Sequence, residues 1–109
     1  MTVYQLGEKL GFKRLSAGED RAVKSCYISD LLSRVLGGCQ HGDVWITVQS
    51  SINMVAVAVM VNASCVILPE GLTAPVDVID KATEEGLTIF SSEENAFSLA
   101  VKIAQITDS

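Results

Sequence analysis

The sequence predicts an α/β domain: a mainly parallel sheet of four to five strands, in three layers, with helices on both faces. Three observations lead there. Apolar, β-branched runs end near Ile28, Val48, Leu68 and Phe90, at intervals of about 20 residues. A helix-compatible stretch follows each run, opened by Ser, Asp or Pro. Two of the runs, residues 44–48 and 65–68, are apolar nearly throughout, as strands covered on both faces are. Such strand–helix alternation gives parallel strands joined by right-handed crossovers, hence a doubly wound sheet. With 109 residues, 49% of them hydrophobic, the chain suits one domain, residues 1–109, with a substantial core.

Each element follows from local chemistry. Thr2 can cap a first helix whose apolar face is Val3, Leu6 and Leu10, with Gly11 at its C′ position. Residues 12–15 suit a short strand, followed by a turn at Ala17-Gly18-Glu19. Residues 23–28 read as a strand. Ser29 or Asp30 then caps a helix carrying Leu31, Leu32, Val35 and Leu36, which Gly37-Gly38 end. The run VAVAV within residues 54–61 has strand propensity. Yet the runs before and after it look like parallel neighbours, which need a crossover of a dozen or more residues, usually a helix. Residues 51–61 are therefore predicted helical, behind a Ser50 or Ser51 cap, against a penalty of a few tenths of a kcal/mol per valine. Thr73 and Pro75 open the next helix, with Val76, Ile79 and Ala82 inward and Gly86 ending it. Residues 87–90 form the last strand. Ser91 and Glu94 have capping-box spacing, and the final helix would bury Phe97, Ala100, Val101 and Ala104.

Composition narrows the function classes. The net charge is −5, and no Lys/Arg cluster is present to neutralise phosphates, which argues against nucleic acid. The segment 44–68 carries no charge, but Gln49, Ser50, Ser51, Asn53, Asn62 and Ser64 break it too often for a bilayer-spanning helix. Met1 is followed by polar residues rather than by the apolar core of a signal peptide. Three cysteines, Cys26, Cys39 and Cys65, have no paired spacing. A cytoplasmic chain with reduced thiols is expected. The high apolar content implies that a partner covers part of the surface.

Ligands of doubly wound sheets collect beyond the strand carboxyl ends, where helix N-termini offer free N–H groups and partial positive charge. The candidate ligand-binding residues are therefore Ser29, Asp30, Gln49, Ser50, Ser51, Asn53, Glu70, Gly71, Ser91 and Ser92. Their small, neutral, polar character suits an anionic metabolite or nucleotide. It suits simple helix capping equally well. Catalytic signatures are missing: there is no phosphate-binding G-x-x-x-x-G-K-[ST], no G-x-G-x-x-G and no G-x-S-x-G. Cys39 and His41 make a C-x-H pair, short of the three or four ligands that zinc requires. The expectation is a non-enzyme with no catalytic residues, no metal and no cofactor.

The segments EDRAVKSCYISDLLSRVLGG and GDVWITVQSSINMVAVAVMVNASCVIL resemble the DRTGG domain family. Asp20-Arg21 matches its Asp-Arg pair. Tyr27-Ile28-Ser29-Asp30-Leu31-Leu32-Ser33 matches its Tyr-x-x-Asp-Leu-Leu-Ser helix start. The Trp45-Ile46-Thr47 strand, Gln49, Asn53, the VAVAV helix and the Phe97 helix also fit, so the resemblance spans essentially the whole chain. Lys24-Ser25-Cys26 replaces the Thr-Gly-Gly of the family, and Pro69-Glu70-Gly71 a small-Gly-Gly loop. The resemblance implies a fold like the N-terminal domain of HPr kinase/phosphorylase. It implies a regulatory module of the kind found beside CBS domains, and self-association into a homodimer. Stand-alone copies resemble those found near iron-only hydrogenase or NADH-linked oxidoreductase components. A redox-enzyme subunit or regulatory protein as partner, and a nucleotide or phosphorylated metabolite as ligand, are expected on the same basis.

Overall fold

The computed structural model of the protein describes residues 1–107. The elements along them are α1 (Val3–Leu10), β1 (Lys13–Arg14), β2 (Cys26–Ile28), α2 (Leu32–Gly38), β3 (Val44–Ile46), α3 (Ile52–Met60), β4 (Cys65–Leu68), α4 (Val76–Glu84), β5 (Ile89–Ser91) and α5 (Ala96–Thr107). The strands form one sheet in the order β1-β5-β4-β3-β2. β2 to β5 are parallel, with Tyr27 opposite Trp45, Trp45 opposite Val66 and Ile67 opposite Phe90. β1 adds antiparallel to the outer edge of β5.

The pleat sends alternate residues to opposite faces, and the two cores divide accordingly. Trp45, Val66, Leu68 and Ile89 pack with Val35 of α2, Met54 and Ala58 of α3, and Val78 and Ala82 of α4. Val44, Ile46, Cys65, Ile67 and Phe90 pack with Val3 and Leu6 of α1 and Leu99 and Ile103 of α5. The architecture is thus the three-layer α/β sandwich the sequence predicts. Each fully buried Val, Leu or Ile in it contributes about 1.5–3 kcal/mol of transfer free energy.

The connection between the parallel strands β3 and β4 is the helix α3. The VAVAV run is helical, and the Ser51 hydroxyl caps it by accepting from the Met54 N–H at 3.3 Å. At α1, Thr2 and Gln5 form a reciprocal capping box, and Gly11 closes the helix with φ 67°. Other expectations are corrected. The strands are shorter: β2 keeps three residues, β1 two, and β3 stops at Ile46, leaving Val48 exposed. Neither Ser29 nor Asp30 caps α2. Its N-cap position is Leu31, without a side-chain bond, because the Asp30 carboxylate is held by Thr47 and Val48 instead. Leu31 and Leu36 are exposed, and only Val35 of that helix is fully buried.

α4 starts one residue after Pro75 and turns Val78 and Ala82 inward, so Val76 is 73% exposed rather than buried. The Ser91–Glu94 capping box does not form. Ser91 belongs to β5, and Asn95 caps α5 by accepting from the Ser98 N–H at 2.9 Å. α5 packs on the sheet through Leu99 and Ile103. The predicted stripe of Phe97, Val101 and Ala104 points outward, with Phe97 77% exposed.

Candidate functional site

The ten predicted residues lie at the carboxyl ends of the four parallel strands, and local hydrogen bonds join seven of them into two groups. At the ends of β2 and β3, Asp30 is the hub. Its Oδ1 accepts from the Thr47 hydroxyl and from the Val48 N–H, each at 2.9 Å. The Gln49 side-chain amide donates to the Asp30 carbonyl at 2.8 Å, and the Gln49 N–H donates to the Thr47 hydroxyl at 3.1 Å. The Trp45 indole N–H reaches the Ser29 carbonyl at 2.9 Å, while the Ser29 hydroxyl accepts from the Leu31 N–H. These bonds hold the loop after β2 against the loop after β3.

At the ends of β4 and β5 the backbone does the tying. Glu70 and Gly71 are successive left-handed residues, φ 59° and 71°. Their N–H groups donate to the Glu94 and Ser92 carbonyls at 2.9 and 2.7 Å. The positive φ favours glycine at Gly71, where the nearest neighbour of an added side chain is the movable tip of exposed Glu93. The Ser91 hydroxyl donates to the Leu72 carbonyl at 2.7 Å, and the Ser92 hydroxyl accepts from the Glu94 N–H at 3.2 Å. Glu94 is held ionised below the usual carboxylate range, first by Lys102 at 2.7 Å and then by the Ser98 hydroxyl. Between the two groups stand Ser50, the Ser51 cap and the exposed Asn53 of the first turn of α3. A shallow cavity of about 270 Å³ adjoins the rim beyond β5, lined by Lys13, Ser91, Ser92, Glu93 and Glu94 among others.

Apolar side chains surround this polar rim. Ile28, Leu31, Val48, Ile52, Leu72 and Val76 are all exposed, and all lie in segments that leave a strand carboxyl end or open a helix.

The opposite end of the sheet holds a second group. Asp20 and Arg21 diverge there: the Asp20 carboxylate accepts from the Tyr4 N–H at 2.9 Å, at the positive end of α1. Arg21 instead turns to a cavity of about 330 Å³ that Lys24, His41, Gly42, Asn62 and Ser64 also line. The Ser64 hydroxyl is buried, with no hydrogen-bond partner among the described residues. Leaving such a group unsatisfied costs about 1–3 kcal/mol. The sequence touches this site through the Asp20-Arg21 pair and Lys24 at the Thr-Gly-Gly positions; Ser64, a lone Ser before a strand, carries no motif.

The thiols cluster toward the same end. Burial, then the Asp43 carboxylate, pushes Cys26 up to about 11. The same two causes push Cys39 up to about 11, and burial pushes Cys65 up to about 12. At neutral pH these thiols stay protonated and are poor nucleophiles. Among the described residues no group of three or more His, Cys, Asp or Glu is placed to hold a metal ion, and no helix is long and apolar enough to cross a membrane.

Fold and topology define a small α/β domain of DRTGG-like architecture, in line with the sequence resemblance. The chain is similar in structure to the CBS and DRTGG domains of the regulatory region of Clostridium perfringens pyrophosphatase, crystallised with its activator diadenosine tetraphosphate. The TM-score is 0.74 at 14% sequence identity, over 95% of this chain and 46% of that one. The likeness is one of fold, and the chain spans less than half the length of that neighbour. No protein-family description matches the chain, and no curated protein matches it in sequence.

Proposed function

We propose that this domain is a non-catalytic regulatory module that takes a small anionic metabolite or nucleotide at the strand carboxyl ends. The observation that carries the reading is the fold shared with a regulatory region whose own activator is a nucleotide. The rim supports a responsive role. Asp30 links the loops after β2 and β3, and Glu70 and Gly71 link the loops after β4 and β5. A ligand that displaces one loop therefore moves its neighbour. The test is a titration of ¹⁵N-labelled protein with diadenosine tetraphosphate, AMP and phosphorylated metabolites. Saturable shifts at the amides of Asp30, Gln49, Ser51, Gly71 and Ser92 are expected. Rim amides that stay still at millimolar ligand would remove this reading.

A second reading is favoured by the exposed apolar side chains. The rim set and the outward pair Phe97 and Val101, one helical turn apart, offer an interaction surface to a second copy or to a redox-enzyme subunit. Sedimentation of the wild type against Phe97→Ser/Val101→Ser addresses it. A dimer dissociated by the pair supports a homodimer through α5. A wild type that sediments as a monomer, and recovers no redox subunit on co-purification, leaves the ligand reading alone.

A further inference from the structure

We propose that the cavity at the amino ends of β2, β3 and β4 binds the phosphoryl group of a small phosphorylated metabolite, through Arg21, Lys24 and the Ser64 hydroxyl. This is a site distinct from the carboxyl rim, and it stands whether or not the rim takes a ligand.

The cavity has a rigid floor. Lys24, Gly42 and Ser64 each stand one or two residues before a strand. Their backbones are cross-linked: Lys24 N–H donates to the Gly42 carbonyl at 3.0 Å, Gly42 N–H to the Asn62 carbonyl at 2.9 Å, and Ser64 N–H to the Asp43 carbonyl at 2.8 Å. Ser64 is 1% exposed, lines the cavity, and has a hydroxyl that no described residue satisfies. The nearest acceptor within the chain is the Cys65 thiol, whose pKa burial raises and a Ser64 hydrogen bond, the lesser effect, lowers; protonated sulfur is a weak acceptor. A buried donor of this kind on a cavity wall has no strong acceptor within the chain.

Charge selects the acceptor. The chain carries a net charge of −5, yet Arg21 and Lys24 meet here, with His41 beside them. Arg21 is positioned by a bond from Nη1 to the Ala63 carbonyl at 3.3 Å and by a loose pairing of Nε with Glu19 at 3.6 Å. Its remaining N–H groups are left for a ligand. The Lys24 alkyl chain lies over Gly42, where an added Cβ would meet Cδ at 2.9 Å. Its ammonium makes no salt bridge among the described residues. Two effects oppose an anion: the Glu19 carboxylate, and the carbonyl end of α3, which carries roughly half a negative charge. Asn62, left-handed at φ 56°, lessens the second, since its N–H and that of Val61 take up the Val59 and Val57 carbonyls. Two full cations and a buried hydroxyl donor outweigh what is left. A planar guanidinium, an ammonium and a hydroxyl together match the several acceptor oxygens of a phosphoryl group. A volume of about 330 Å³ fits a small phosphorylated molecule, at the lower end of ligand pockets.

The test is a ¹⁵N titration of the whole chain with inorganic phosphate, against chloride at matched ionic strength. Saturable shifts are expected at the amides of Lys24, Gly42, Asn62 and Ser64, with the rim amides still. Arg21→Gln and Lys24→Gln should each weaken binding by about tenfold, and Ser64→Ala by a few-fold. Lys24 is exposed, so its variant keeps the fold, and the rest of the spectrum verifies that for all three. Phosphate shifts no larger than those of chloride, affinity unchanged in the Arg21→Gln/Lys24→Gln pair, or shifts confined to the rim would each overturn the proposal.

Discussion

The two ends of the sheet use polar residues in opposite ways. At the carboxyl rim Asp30, Thr47, Gln49, Ser51, Ser91 and Ser92 all bond within the chain, and exposed apolar side chains, interspersed with exposed Asn53 and Glu70, surround these residues. At the amino end a hydroxyl is buried unsatisfied beside two cations, and three protonated thiols lie close by in sequence. The lesson is that polar residues at a favoured topological position need not be available to a ligand. A loop that leaves a parallel strand must satisfy its own backbone first, and here that demand engages most of the rim side chains, so a ligand there has to displace such bonds.

The contrast can be broken first with alkali. An unfolded thiol ionises above its ordinary 9.0, whereas folded Cys65 holds its proton to about 12 and Cys26 and Cys39 to about 11. Above pH 9.0 the unfolded state therefore binds fewer protons than the folded one, and stability falls as pH rises. The loss should reach about 1.4 kcal/mol per pH unit for the fully buried Cys65, and less for Cys26, which solvent partly reaches. Urea midpoints followed upward from pH 9.0 measure it. Cys65→Ala should flatten the slope, and an equally steep slope in that variant would place the effect elsewhere.

The next largest effect belongs to the rim. Asp30→Ala strips the acceptor from the Thr47 hydroxyl and the Val48 N–H, at a cost of about 1–3 kcal/mol in chemical denaturation. A cost near zero would mean that water replaces the carboxylate and that the rim is looser than its bonds imply. The smallest effect is expected at the other end. Without ligand, Ser64→Ala removes an unsatisfied hydroxyl and should leave stability unchanged or raise it by up to about 1 kcal/mol. A clear destabilisation would show that the hydroxyl has a partner, and would weaken the phosphoryl site with it. Asp30 and Ser64 would then no longer mark two different kinds of end.

Much of this was legible in the residues. Apolar runs at regular spacing, and the need of parallel neighbours for a long connection, determined that VAVAV is a helix despite its strand propensity. Thr2 and Ser51 announce their caps because a hydroxyl at that spacing has one near partner, the amide three residues on. Gly11 and Gly86 announce helix ends because left-handed backbone favours glycine. These are short-range effects, complete within a turn or two of chain. What the tertiary structure alone decided is which face each helix buries and which polar groups remain free. α5 is apolar on two sides, and its packing on the sheet chose Leu99 and Ile103 over Phe97 and Val101. Asp30 left the cap of α2 because the loop after β3, distant in sequence, offered two better donors. Ser64 and Arg21 reach one cavity across 42 intervening residues only because β4 and the segment before β2 share an end of the sheet. Such choices rest on contacts between residues far apart along the chain, and periodicity and local propensity hold no record of them.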